Sequence, residues 1–195
     1  DGINVLADWC ERGVRVGSGR GAYPLTGALT NPGLPTASSI IAALSDTTAT
    51  MRLLLQRVTS ARVRVGSDVV GEIGTGLLVL VGVETDDAED AVDRAADKLA
   101  NLRVFADSEG RMNLAANSVG GEFLVVSQFP LAGSLARGRR PSFDRAAPPE
   151  VAEPRVEALA ARLEDRGFRV ARGRFGAYMQ VELVNDGPVT FVLDV

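Results

Sequence analysis

The chain has 195 residues, an apolar content of 46% and a formal charge of −4. That length and balance suit one or two globular domains with a buried core, and they do not by themselves point to nucleic acid. With no histidine and one cysteine, Cys10, the chain excludes histidine acid–base chemistry, an internal disulfide framework and a thiolate metal cluster.

Residues 1–50 are rich in Gly, Thr, Ser and Pro and show no sustained period. Periodic sequence begins at Met51-Arg52-Leu53-Leu54-Leu55. The expectation is a poorly ordered extension, or upstream sequence read in frame, over 1–50 and a folded domain over 51–195. A small accessory module around residues 38–44 is the rival reading. No apolar run approaches the ~20 residues of a membrane span. The Ile40–Leu44 run is too short and lacks the basic flank of a secretory signal, so the cytoplasm is the expected setting.

Within 51–195, residues 53–58 and 61–65 are β-rich runs, and Gly66-Ser67-Asp68 turns the second into a hairpin partner at 69–73. Residues 77–83 are apolar throughout, which predicts a central strand buried on both faces. Thr85-Asp86-Asp87-Ala88-Glu89 has the capping residue and early acids of a helix start, followed by a stripe at Ala88, Val92, Ala95, Ala96, Leu99 and Leu102. Glu84, Asp86, Asp87, Glu89, Asp90 and Asp93 are spaced as a solvated helix face rather than as a metal site. Asp107-Ser108-Glu109-Gly110 is a turn, and 123–126 is a second buried strand. A further helix spans 150–166, with Gly167 as its cap. Residues 178–184 alternate as a strand, Asn185-Asp186-Gly187 turns, and 189–195 closes the sheet. Strands outnumber helices and two helices cover one face, so the class is α+β rather than doubly wound.

Three segments carry candidate chemistry. Ser127-Gln128-Phe129-Pro130-Leu131 leaves a buried strand, where Gln128 and freed backbone N–H groups can hold a developing oxyanion. Gly187-Pro188 is a rigid unit that can aim carbonyls and reject one substituent of a chiral carbon; a plain hairpin turn is the rival reading. Arg137-Gly138-Arg139-Arg140-Pro141-Ser142-Phe143, with Arg145, is a basic loop suited to phosphate and nucleobase contact, or else to salt bridges with the acidic helices. Arg172, Gly173, Arg174 and Phe175 form a second basic-aromatic cluster.

Together these residues resemble the D-aminoacyl-tRNA deacylases. The likeness runs from Gln56-Arg57-Val58 through Gly71-Glu72-Ile73-Gly74, Met112-Asn113-Leu114, Ser127-Gln128-Phe129 and Gly138–Phe143 to Met179-Gln180-Val181 and Asn185-Asp186-Gly187-Pro188-Val189-Thr190. It implies a mixed, mostly antiparallel, barrel-like sheet with two main helices and a homodimer that shares its active sites. It implies that Ser127, Gln128, Phe129 and Pro130 hold the ester end of an aminoacylated tRNA. Gly187 and Pro188 of the other subunit would bind the amino group and exclude an L side chain. Asn185, Val189 and Thr190 would support that turn, and Arg57 would brace it. Arg137, Arg139 and Arg140 would contact tRNA. The implied reaction is ester hydrolysis of D-aminoacyl-tRNA and of mischarged glycyl-tRNA, assisted by the neighbouring ribose hydroxyl, with no metal or cofactor. Pro130 departs from the family, which usually has Thr there. A hydroxyl and an N–H are lost, so a catalytically weakened tRNA-binding homologue is the alternative. A hydrolase of small D-amino-acid esters is a third reading.

Overall fold

The computed structural model describes residues 51–136 and 139–195. The expected extension over 1–50 and Arg137 of the basic loop lie outside them. The described elements are β1 (Arg52–Val65), β2 (Asp68–Ile73), β3 (Gly76–Gly82), α1 (Ala91–Asn101), β4 (Phe105–Ala106), β5 (Met112–Leu114), β6 (Glu122–Ser127), α2 (Pro149–Glu164), β7 (Val170–Arg172) and β8 (Gln180–Asp194).

β1 organises the sheet. Its first half pairs antiparallel with β3 and its second half with β2, while β8 runs antiparallel along its other side. β3 and β6 are parallel, as are β6 and β7. The order β2-β1-β3-β6-β7 bends round until β2 meets β7. A Cβ on Gly71 would lie 2.3 Å from the Arg172 carbonyl oxygen, so the near-closure of the barrel requires glycine there. The α+β, barrel-like expectation holds.

Two apolar cores follow from strand alternation. Val58, Ala61, Val63, Ile73, Leu78, Leu124 and Val126 fill the barrel. Leu53, Leu55, Leu77, Val79, Val81, Phe123 and Val125 face the other way, onto α1 and α2. β3 contributes to both, as its unbroken apolar run predicts. In α1, Ala91, Val92, Ala95, Ala96 and Leu99 form the buried stripe. Leu99 is fully buried, and its truncation to Ala costs about 2–5 kcal/mol. Among the described residues no helix is long and apolar enough to cross a membrane.

Several expected boundaries are corrected. The runs 53–58 and 61–65 are one strand, because β8 pairs on both sides of the exposed Thr59 and Ser60. The runs 178–184 and 189–195 likewise belong to one strand, β8, which leaves its register between them. α1 starts at Ala91, not near Thr85. The Asp87 carboxylate accepts the Glu84 N–H at 2.9 Å and closes a turn that delays the helix. Glu84 and Asp87, expected on a solvated face, are only 4% and 5% exposed. α2 ends at Glu164, and Gly167 (φ 86°) wraps the chain so that the Phe168 N–H reaches the Leu163 carbonyl at 3.2 Å.

Candidate active site

The Gly187-Pro188 segment is an excursion from β8, not a hairpin turn. Val58 of β1 pairs with Asn185 and Gln56 pairs with Thr190, so Arg57 alone faces four residues of the partner strand. The Gly187–Pro188 peptide bond is cis. Arg57 continues the stripe of Leu53 and Leu55 and is only 9% exposed. Its Nε donates to the Asp186 carbonyl at 3.2 Å and pairs with the Asp186 carboxylate at 2.8 Å. Its Nη1 donates to the Val104 carbonyl, beyond the end of α1. The brace therefore grips the residue before Gly187. Asn185 completes it: Nδ2 donates to the Arg57 carbonyl at 3.1 Å and to the Val189 carbonyl at 3.3 Å. A Cβ on Gly187 would lie 2.4 Å from Asn185 Oδ1, so a side chain there displaces the brace. Val189 is buried at 4%, whereas Gly187, Pro188 and Thr190 are exposed.

The second segment leaves β6 at Ser127 and forms a short 3-10 turn over Phe129–Ala132. Gln128 N–H donates to the Val81 carbonyl at 2.7 Å, and Leu131 N–H to the Gln128 carbonyl at 3.0 Å. Pro130 has no N–H and sits in the first turn, where its fixed φ fits. From Gln128 to Leu131, the Phe129 N–H is thus the amide left without a carbonyl partner among the described residues. The Phe129 side chain is 57% exposed and leans on Phe143, with ring centroids 5.0 Å apart.

Within one chain the two segments do not meet. Ser127 is level with Val81, and Val81 with Leu53, whereas the excursion lies opposite Arg57. That offset is about 13 Å along the strands, with three strand spacings, about 14 Å, across the sheet.

The model of the family described as D-Tyr-tRNA(Tyr) deacylase matches residues 54–194. Relatives named D-aminoacyl-tRNA deacylase include one from Roseiflexus sp. (strain RS-1), 56% identical over 74% of this chain and 93% of its own length. Another, from Chloroflexus aurantiacus, is 57% identical over 74% of this chain and 90% of its own. The chain belongs to the D-aminoacyl-tRNA deacylase family. A solved structure titled c-Myc DNA Unwinding Element Binding Protein is 37% identical to this deacylase chain, with a TM-score of 0.69 over 74% of this chain and 98% of that one. A structure titled as a probable eukaryotic D-amino acid tRNA deacylase has a TM-score of 0.67 at 19% identity, covering 75% of this chain and all of that one, and shares the fold.

The deacylase arginines divide into two groups. Arg172 of the second basic-aromatic cluster is engaged by Glu164, with two contacts of 2.7 Å, and by Glu157 at 3.1 Å. Arg145 pairs with Glu84. Arg139 and Arg140 are exposed, on the loop that follows the Ser127 segment. The sequence placed Phe143 in the basic loop but not against Phe129, and the contact of Asp186 with Arg57 follows from the excursion, which no local pattern announces.

Proposed function

We propose that the chain hydrolyses the ester of D-aminoacyl-tRNA, and of glycyl-tRNA, in the cytoplasm, and rejects L-aminoacyl-tRNA through the Gly187-Pro188 backbone. The folded unit that does this is 51–195. The observation that carries the reading is the braced four-residue excursion opposite Arg57. Its position is fixed by a buried guanidinium and a carboxamide rather than by the exposed loop itself, so it presents main-chain atoms in a set geometry. Such a surface senses configuration at one carbon and leaves the D side chain toward solvent.

The sheet offset between the two segments supports a homodimer in which Ser127, Gln128, Phe129 and Pro130 of one copy face the Gly187-Pro188 loop of a second copy, with Asn185, Val189, Thr190 and Arg57 behind that loop. In this scheme water adds to the ester carbonyl, assisted by the neighbouring ribose hydroxyl. The Phe129 N–H stabilises the oxyanion, the bond to the ribose oxygen breaks, and that oxygen takes the proton. Arg139 and Arg140, with Arg137, contact the phosphates of the tRNA end. Pro130 is compatible with this scheme because the nucleophile is not a protein hydroxyl.

The test is single-turnover deacylation of D-Tyr-tRNA and L-Tyr-tRNA, with and without chelator, by the parent chain and by Pro130→Thr, alongside solution scattering. Loss of the D ester alone, insensitive to chelator and changed by less than about threefold in Pro130→Thr, is expected from a substrate-assisted reaction. Tight tRNA binding without hydrolysis by the parent, restored by Pro130→Thr, would instead identify the weakened homologue. A monomer in scattering would remove the shared site.

A further inference from the structure

Between β3 and α2 lies a buried ionic group that the proposed chemistry does not use. Glu84 and Asp87 are 4% and 5% exposed. Arg145 Nη2 pairs with Glu84 Oε2. Arg155 Nη2 donates to the Asp87 carbonyl at 3.1 Å, while its Nη1 stays 3.8 Å from the Asp87 carboxylate. Glu84 Oε2, Asp87 Oδ1 and Arg155 Nη1 lack hydrogen-bond partners, so Arg145 meets Glu84 as an ion pair without a hydrogen bond. Two buried carboxylates thus share two guanidiniums, and the set tolerates no further loss of positive charge.

The same place joins the two walls of the site. Val81 accepts the Gln128 N–H, and a Cβ on Gly82 would lie 2.7 Å from Leu131 Cβ, so the end of β3 supports the Phe129 segment. Two residues further on, a strap is zipped to β3: Ala147 N–H donates to Val83 at 3.0 Å and Thr85 N–H to Arg145 at 2.9 Å, around a Glu84–Ala146 bridge. Ala146 N–H donates to the Phe143 carbonyl at 3.0 Å. The strap so places Phe143 on Phe129, and a Cβ on Gly133 would lie 2.8 Å from the Phe143 ring. The Ser134–Ser142 backbone pair closes the base of the basic loop beside it.

We propose that Arg145 latches the strap by neutralising the buried Glu84 carboxylate, so that Phe143 stays against Phe129 and the basic loop stays beside the ester site. Arg145 is then a positioning residue and not a phosphate contact. The argument rests on the deacylase reading for its kinetic arm only.

The two partners differ in a way that tests the latch. Removing Arg145 strands Glu84, a buried carboxylate beside Asp87, which must turn to water and break the Glu84–Ala146 bridge. Removing the charge of Glu84 leaves Arg145, whose side chain is 61% exposed, free to solvate. Arg145→Gln should therefore speed tryptic cleavage after Arg139 by about tenfold as the strap opens. It should lower the single-turnover rate on D-Tyr-tRNA by about tenfold through misplacement of Phe143. Glu84→Gln should change either readout by less than about threefold, and the double variant Glu84→Gln/Arg145→Gln should return both to within about threefold of the parent. The proposal is overturned if the double variant is as impaired as Arg145→Gln, or if Arg145→Gln weakens tRNA binding in a salt-dependent manner with cleavage unchanged, since a direct phosphate contact predicts that pattern. A parent with no deacylase activity would remove the functional reading, while the proteolysis arm would still decide the latch.

Discussion

The Gly187-Pro188 excursion and the Ser127–Ala132 segment are built by opposite means. Side chains hold the excursion: Arg57, from a buried position, reaches the carbonyls of Asp186 and Val104, and Asn185 reaches those of Arg57 and Val189. Backbone bonds to Val81 and within the turn hold the Ser127 segment, which leaves Phe129 exposed. In the proposed reaction, a backbone that discriminates configuration needs carbonyls that do not move, and side-chain donors supply that; a segment that accepts an ester needs one free amide, and a strand end followed by proline leaves one.

The largest break in this contrast is Gly187→Ala. The new methyl would lie 2.4 Å from Asn185 Oδ1, and the excursion has to shift to admit it. Single-turnover deacylation of D-Tyr-tRNA should fall by about 100-fold or more. An unaltered rate in Gly187→Ala would mean that the excursion does not touch the substrate. Arg57→Ala comes next. It leaves the Asp186 and Val104 carbonyls without their donor, for a stability loss of about 2–4 kcal/mol and a rate loss near tenfold or greater. Arg57→Lys, which keeps the charge but not the fork, should recover stability only in part. Urea midpoints and single-turnover rates on the same samples check both. Asn185→Ala is smaller, about 1–2 kcal/mol and several-fold in rate, because Arg57 still holds Asp186. An Asn185→Ala loss equal to that of Arg57→Ala would mean that the two braces act as one unit.

The elements of the fold were legible where one period ruled. The unbroken apolar run of β3 and the stripe of Ala91, Val92, Ala95, Ala96 and Leu99 announced their burial. The excursion was legible as Gly and Pro but not as an excursion, since only the register against β1 shows that Arg57 faces four residues. Glu84 and Asp87 were misread because a run of acids before a helix normally faces water. Here the Asp87 carboxylate closes its own turn, and two arginines from distant segments meet the pair, Arg145 at Glu84 and Arg155 at Asp87. Arg57 left a local trace, an arginine where the alternation of Leu53 and Leu55 calls for an apolar residue.

The smallest effect concerns acid, and it separates the surface ion pairs from the buried group. The bidentate hydrogen bond from Arg172 holds the Glu164 carboxyl below the usual glutamate range, and Arg62 does the same for Glu182. A depressed pKa gives stability that is present above the unfolded value, about 4.3, and lost as pH falls through the folded one. Asp87 has the opposite sign. Burial pushes its carboxyl up, against the Glu84 N–H, Arg155 and Arg145, so its contribution is present at low pH and lost as pH rises through its folded value. Glu164 and Glu182 are partly exposed, so screening keeps each effect small. Urea midpoints measured from pH 7 down to about 3 should show a shallower acid decline in Glu164→Gln than in the parent. Asp87→Asn should instead steepen the decline, because it removes a group that opposes it. If both variants trace the parental curve, Arg172 does not hold the Glu164 carboxyl down in solution and burial does not raise that of Asp87, which would leave the Glu84–Asp87 group open to water.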